Sequence, residues 1–86
     1  MDIETVKLKA KRISTVIHGG DLIVNAYRPT LESIRDLSVL EHNKQTFRLD
    51  LKDETGDWTA AAKWNMQSFV RSDDNKVITA VLVRAS

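Results

Sequence analysis

Apolar and basic residues alternate from Val6 to Ala10, with Val6, Leu8 and Ala10 on one side of the chain and Lys7, Lys9 and Lys11 on the other. A period of two marks a strand with one buried and one wetted face. The phase then slips, because Ile13 and Ile17 carry odd numbers. One extra residue near Lys11-Arg12 would turn every later side chain over, so the spacing predicts a bulged, bent first strand. His18-Gly19-Gly20-Asp21 holds the only Gly pair, and Gly takes the positive backbone angles of a hairpin turn without steric cost. The second strand, Asp21 to Arg28, is apolar on both faces, Leu22, Val24 and Ala26 opposing Ile23 and Tyr27. Such a strand belongs inside a sheet, not at its edge.

After Pro29, Thr30 can accept from first-turn amides and Glu32 suits the positive end of a helix dipole, so a helix is predicted from Leu31. Its apolar residues, Leu31, Ile34, Leu37 and Leu40, span a broad arc. Asn43 is the expected terminator, since Asn tolerates the left-handed conformation. Phe47, Leu49 and Leu51 then alternate with Thr46, Arg48, Asp50 and Lys52 as a third strand. Asp53-Glu54-Thr55-Gly56-Asp57 reads as a turn, and Trp58, Ala60, Ala62 and Trp64 alternate with Thr59, Ala61 and Lys63 beyond it. That fourth strand bends through Met66, Phe69 and Val70 to the polar turn Ser72-Asp73-Asp74-Asn75. The last strand, Lys76 to Arg84, is again apolar on both faces, Val77, Val81 and Val83 against Ile78, Ala80 and Leu82. The pattern predicts the α+β class: an antiparallel twisted or barrel-like sheet of about five strands with one helix, in the order β-β-α-β-β-β, every connection except the helical one a short hairpin and no parallel crossover needed.

Eighty-six residues make one domain, spanning 1–86. A chain of this length buries only about 60% of its unfolded surface, so a second subunit could matter to its stability. The absence of Cys excludes disulfides, thiol nucleophiles and Cys-ligated metals. No apolar run approaches a membrane span, and the start Met1-Asp2-Ile3-Glu4 lacks a signal-peptide pattern, so a cytoplasmic location is expected. The formal charge of +1 supplies no global field toward nucleic acid, membrane or acidic partner.

Catalysis is not expected. His18 adjoins a turn and His42 a helix end, and neither has a second ligand at metal-site spacing. Asp50, Asp53, Glu54 and Asp57 lack the order of a calcium loop and read as a solvated turn. Gly19-Gly20 lies between strands, without the following helix of a phosphate cradle. No cofactor, metal or small-molecule substrate is inferred.

The stretch Phe47-Arg48-Leu49-Asp50-Leu51-Lys52-Asp53-Glu54-Thr55-Gly56-Asp57-Trp58, continuing to Trp64, resembles the central hairpin of OB-fold nucleic-acid-binding domains. The resemblance covers about a fifth of the chain. It implies a barrel whose hairpin face binds single strands by aromatic stacking and basic residues. Lys7, Lys9, Lys11 and Arg12, with Arg48, Lys63 and Trp64, are the candidate nucleic-acid contacts. The same lysines equally serve to keep a small sheet from edge pairing. Trp58 is assigned to the core, and Trp64 is left between core and platform.

The favoured reading is a protein–protein interaction or assembly module, of the compact subunit or inhibitor kind found in viruses and mobile elements, with a homo-oligomer as its simplest form. Acidic residues such as Asp50, Asp53, Glu54, Asp57, Asp73 and Asp74 would repel phosphate. The two doubly apolar strands also ask for more cover than one helix supplies. Val77, Val81, Leu82 and Val83 are the candidate interface.

Overall fold

The computed structural model describes residues 3–85, apart from the side chains of Ala60 and Ala61, so Met1 and Asp2 and the facing of those two alanines lie outside the described residues. Five strands and one helix follow in order: β1 (Glu4–His18), β2 (Asp21–Pro29), α1 (Leu31–Asn43), β3 (Phe47–Asp53), β4 (Gly56–Arg71) and β5 (Val77–Arg84). The strands close into a barrel in the order β1-β2-β5-β4-β3. The α+β class and the element order are as the sequence pattern predicts. Four ladders are antiparallel, but β1 and β3 run parallel, from Glu4↔Phe47 to Lys9↔Lys52. The expected absence of a crossover therefore fails at this ladder. Parallel neighbours need a long connection, which β2 and α1 together supply.

β1 is long because it serves two partners. Its first half pairs with β3, and from Ala10 to His18 it pairs with β2. Val6 and Leu8 are buried, whereas Ile13 faces the core after the change of partner, so the predicted change of facing is present near Lys11-Arg12. Its cause differs from a one-residue bulge, because the β1–β2 register stays constant from Ala10↔Pro29 to His18↔Asp21. Arg28, which stands opposite Lys11 in that register, takes a left-handed conformation with φ 53°. Both strands thus turn over at one level, and no register slip results.

The β3–β4 turn fills the place that this turnover leaves. The Ile13 N–H donates to Asp53 Oδ2 at 2.8 Å, and the Glu54 N–H donates to the Lys11 carbonyl at 3.3 Å. Asp53 Oδ1 also accepts from the Thr55 N–H at 2.8 Å and the Thr55 hydroxyl at 2.6 Å. These bonds favour the carboxylate, the Thr55 hydroxyl most of all, and hold the Asp53 pKa below its ordinary 3.8 against a smaller opposing effect of desolvation.

α1 starts as predicted, with the Thr30 hydroxyl oxygen accepting from the Ser33 N–H at 3.1 Å. The end differs from the expectation: Asn43 is still helical, and Lys44 takes the left-handed position at φ 52°, where its N–H reaches the Glu41 and Leu40 carbonyls. Ser33 is the one buried polar residue among those described. Its Oγ accepts from the Lys9 N–H at 2.9 Å and from the Thr30 hydroxyl at 2.8 Å, and donates to the Lys7 carbonyl at 3.4 Å. The side of β1 that has no strand partner before Ala10 is satisfied by the helix.

Ile34, Leu37 and Leu40 of α1 stop the barrel end where β2 finishes and β5 begins. Inside, Leu22↔Leu82, Val24↔Ala80 and Ala26↔Ile78 form successive layers, joined by Val6, Leu8, Phe47, Leu49, Leu51 and Trp64. Both doubly apolar strands are therefore interior to the sheet, each with two neighbours.

Two outcomes test these attachments. Ser33→Ala strands the Lys9 N–H and the Lys7 carbonyl at a buried junction and is expected to cost about 1–3 kcal/mol of unfolding free energy in a urea titration. For Asp53, a lowered folded pKa means that its contribution is complete above 3.8 and is lost as pH falls from there through the folded value. Urea midpoints of the parent chain should drop across that window more steeply than those of Asp53→Asn.

Candidate functional site

The inner halves of the doubly apolar strands build the barrel core, and their outer halves form a surface. Across β1, β2, β5 and β4 the register sets Val16, Ile23, Val81 and Ser68 in one row and Ser14, Asn25, Thr79 and Val70 in the next. Arg12, Tyr27 and Val77 stand at one end, and His18 and Asp21 at the other. The two middle rows contain no charged side chain. Cross-strand neighbours on one face lie about 4.5–5.5 Å apart, so Val16, Ile23 and Val81 form an apolar strip across three strands, with exposed Val70 in the next row. The Thr79 hydroxyl donates to Asn25 Oδ1 at 2.9 Å, which pairs two polar side chains of the second row.

Of the four interface candidates in the last strand, Val77, Val81 and Val83 point outward and are exposed or half-buried. Leu82 does not: its exposure is 0%, and it lies in the core opposite Leu22 and Met66. Period-two alternation puts it on the opposite face from its valine neighbours, so it is withdrawn from the interface. Val16, Ile23 and Tyr27 take its place. Their signal in the sequence was the second doubly apolar strand and the odd-numbered phase after Arg12.

The basic candidates divide. Parallel pairing of β1 with β3 sets Thr5 beside Arg48, Lys7 beside Asp50 and Lys9 beside Lys52, all on the outer face. Lys7, Lys9 and Arg48 therefore share a surface with Lys52, interrupted by Asp50, which accepts from the Thr59 hydroxyl at 3.0 Å, and bordered by Asp57 opposite Lys52. Lys11 lies at the turnover of β1, and Arg12 lies beside Tyr27 in another hollow with Asp53 and Glu54. Lys63 is exposed on β4, whose pairing with β3 is irregular between the Phe47 and Leu49 positions.

Trp64 is only 6% exposed and is part of the core, so it offers no stacking platform. Trp64, left open by the sequence, is thus a core residue, while Trp58, assigned to the core, packs against it half-buried. Trp58 lines the barrel mouth opposite the helix, a pocket of about 270 Å³ shared with Ile17 and Leu51. The Trp64 indole N–H has no hydrogen-bond partner, and the Arg84 guanidinium sits 6.0 Å from its ring centroid. His18 and His42 are both exposed, beside the β1–β2 turn and in the last turn of α1. No helix among the described residues is long and apolar enough to cross a membrane.

Comparison with protein-family models, with curated proteins and with solved structures finds no match for this chain. The five-stranded barrel with one helix is compatible with an OB-like barrel.

A buried N–H without a partner costs about 1–3 kcal/mol, and Trp64→Phe removes it while also removing packing volume. The two effects oppose, so denaturant unfolding of Trp64→Phe should fall within about 1 kcal/mol of the parent, whereas Trp64→Ala should lose about 3–5 kcal/mol.

Proposed function

We propose that this protein is a non-enzymatic assembly module whose outer β1-β2-β5-β4 face packs against the same face of a second copy. The observation that carries the reading is the pair of uncharged rows, one with Val16, Ile23 and Val81 side by side and the next ending in exposed Val70. An exposed apolar area of this kind on a small domain marks an interaction site. The closed strand order narrows the mode of contact, because each strand has a neighbour on either side and a partner that covers Ile23 and Val81 must meet the face. A second copy fits that face: an isologous contact sets each patch against itself, and uncharged central rows bring no like charges together. Arg12 at one end and Asp21 at the other would lie at the rim of the contact, where an antiparallel arrangement brings opposite charges near each other.

A second reading rests on a different observation. The β1–β3 register gathers Lys7, Lys9, Arg48 and Lys52 on one outer face of an OB-like barrel, which supports single-stranded nucleic-acid binding through phosphate contacts. Asp50 and Asp57 within and beside that group weigh against it, and the core position of Trp64 removes the stacking residue assigned to it.

Solution mass by light scattering, with and without a short oligothymidylate at low and moderate salt, separates the two. The expected result is an oligomer indifferent to the oligonucleotide, converted to a folded monomer by Val81→Lys. Leu82→Glu should instead abolish the fold in circular dichroism, since it places a carboxylate in the core. A parent chain that stays monomeric at every concentration overturns the assembly reading, and a salt-sensitive gain of mass with oligonucleotide supports the second.

A further inference from the structure

α1 presents a second apolar stripe that the barrel does not use. Leu31, at 72% exposure, and Val39, at 50%, lie on a helix face different from that of the buried Leu37 and Leu40. With the edge of Ile34 they floor a groove of about 690 Å³ between α1 and the β4–β5 turn. Positions 31, 35, 39 and 42 follow one helix face, so the groove runs along about three turns, roughly 16 Å. This second stripe explains why the apolar arc of the helix is broad in the sequence.

The charge along the groove is of one sign. Arg35 on the helix and Arg71 at the end of β4 line it, and no carboxylate does. Glu32 and Asp36 belong to the other flank of α1, where they line a separate hollow with Lys7 and Lys9. In the neighbouring turn, Asp74 is engaged by the Ser72 hydroxyl and the Lys76 N–H. The sole ion pair among the described residues joins Lys76 to Asp74 at 4.0 Å, which leaves the Arg35 and Arg71 guanidinium groups without carboxylate partners.

We propose that this groove docks an acidic, amphipathic helical segment of a partner protein, its apolar face on Leu31 and Val39 and its carboxylates on Arg35 and Arg71. An amphipathic helix laid in an apolar groove is read by anchors at such spacing. Arginine forks bind carboxylates in a two-pronged geometry, which favours Asp and Glu on the partner's flanks. Nucleic acid fits less well, because no Phe, Tyr or Trp lines the groove to stack a base. This surface lies apart from the apolar sheet face, so the inference does not depend on self-association.

The test uses the full chain and a fluorescent helical peptide of about fifteen residues, with Leu along one face and Glu elsewhere. Three comparison probes are the same peptide with Lys for Glu, the same peptide with Gln for Leu, and an oligothymidylate of similar length. Anisotropy should report saturable binding of the acidic amphipathic peptide alone, and amide shifts in two-dimensional NMR should fall on α1 and the β4–β5 turn. The double variant Arg35→Glu, Arg71→Glu should weaken binding at least about tenfold with the circular dichroism spectrum and the light-scattering mass unchanged. Leu31→Gln with Val39→Gln should weaken it as well. Equal binding of the Lys and Glu peptides, amide shifts on other elements, displacement by the oligonucleotide, or no binding at millimolar peptide would each overturn the proposal. Peptide binding by a strictly monomeric chain would retain it while removing the assembly reading.

Discussion

The fold depends on one strand having two partners. β1 can pair with β3 and then β2 only if its side chains change facing between the two ladders, and that change leaves backbone groups near Lys11 and Ile13 without strand partners. The Asp53 carboxylate and the Glu54 N–H supply what is missing on one side of the strand, while Ser33 does the same for Lys7 and Lys9 on the other. Buried backbone polar groups cannot be left unpaired at low cost. A turn carboxylate and a helix hydroxyl therefore close a junction that the packing of leucines inside the barrel cannot satisfy.

Elements with a strict period were legible in the sequence: β3 from Phe47, Leu49 and Leu51, the outer and inner halves of β5, and the cap at Thr30 with its helix. The phase change at Lys11-Arg12 was legible too, but its mechanism was not, since the compensating turnover at Arg28 lies in another strand and involves a residue type that seldom takes positive φ. Barrel closure was open for the same reason. The parallel β1–β3 ladder joins segments far apart in the chain, and local periodicity says nothing about which distant strand a given edge will meet.

The candidate surfaces show the same division. Alternation alone separates Val81 from Leu82, although grouping them as one apolar strand hides it. The burial of Trp64 against the partial exposure of Trp58 could not be read from their shared parity, because β4 gains residues relative to β3 between the positions facing Phe47 and Leu49. The groove beside α1 was visible only as an untidy apolar arc. Its cations come from the helix and from β4, which no local window brings together.

The parallel ladder also bears on how the chain comes into being. As the polypeptide is synthesised, β1 and β2 can form their hairpin early, but Glu4 to Lys9 must wait for β3, which emerges only after the whole of α1. During that interval Val6 and Leu8 have no β3 to cover them, and the segment is a template for pairing with another nascent chain. Lys7 and Lys9, alternating with those apolar residues, charge the waiting strand against such pairing. In the finished barrel they stand on the outer face, but their oldest duty in the life of each molecule falls before the barrel exists.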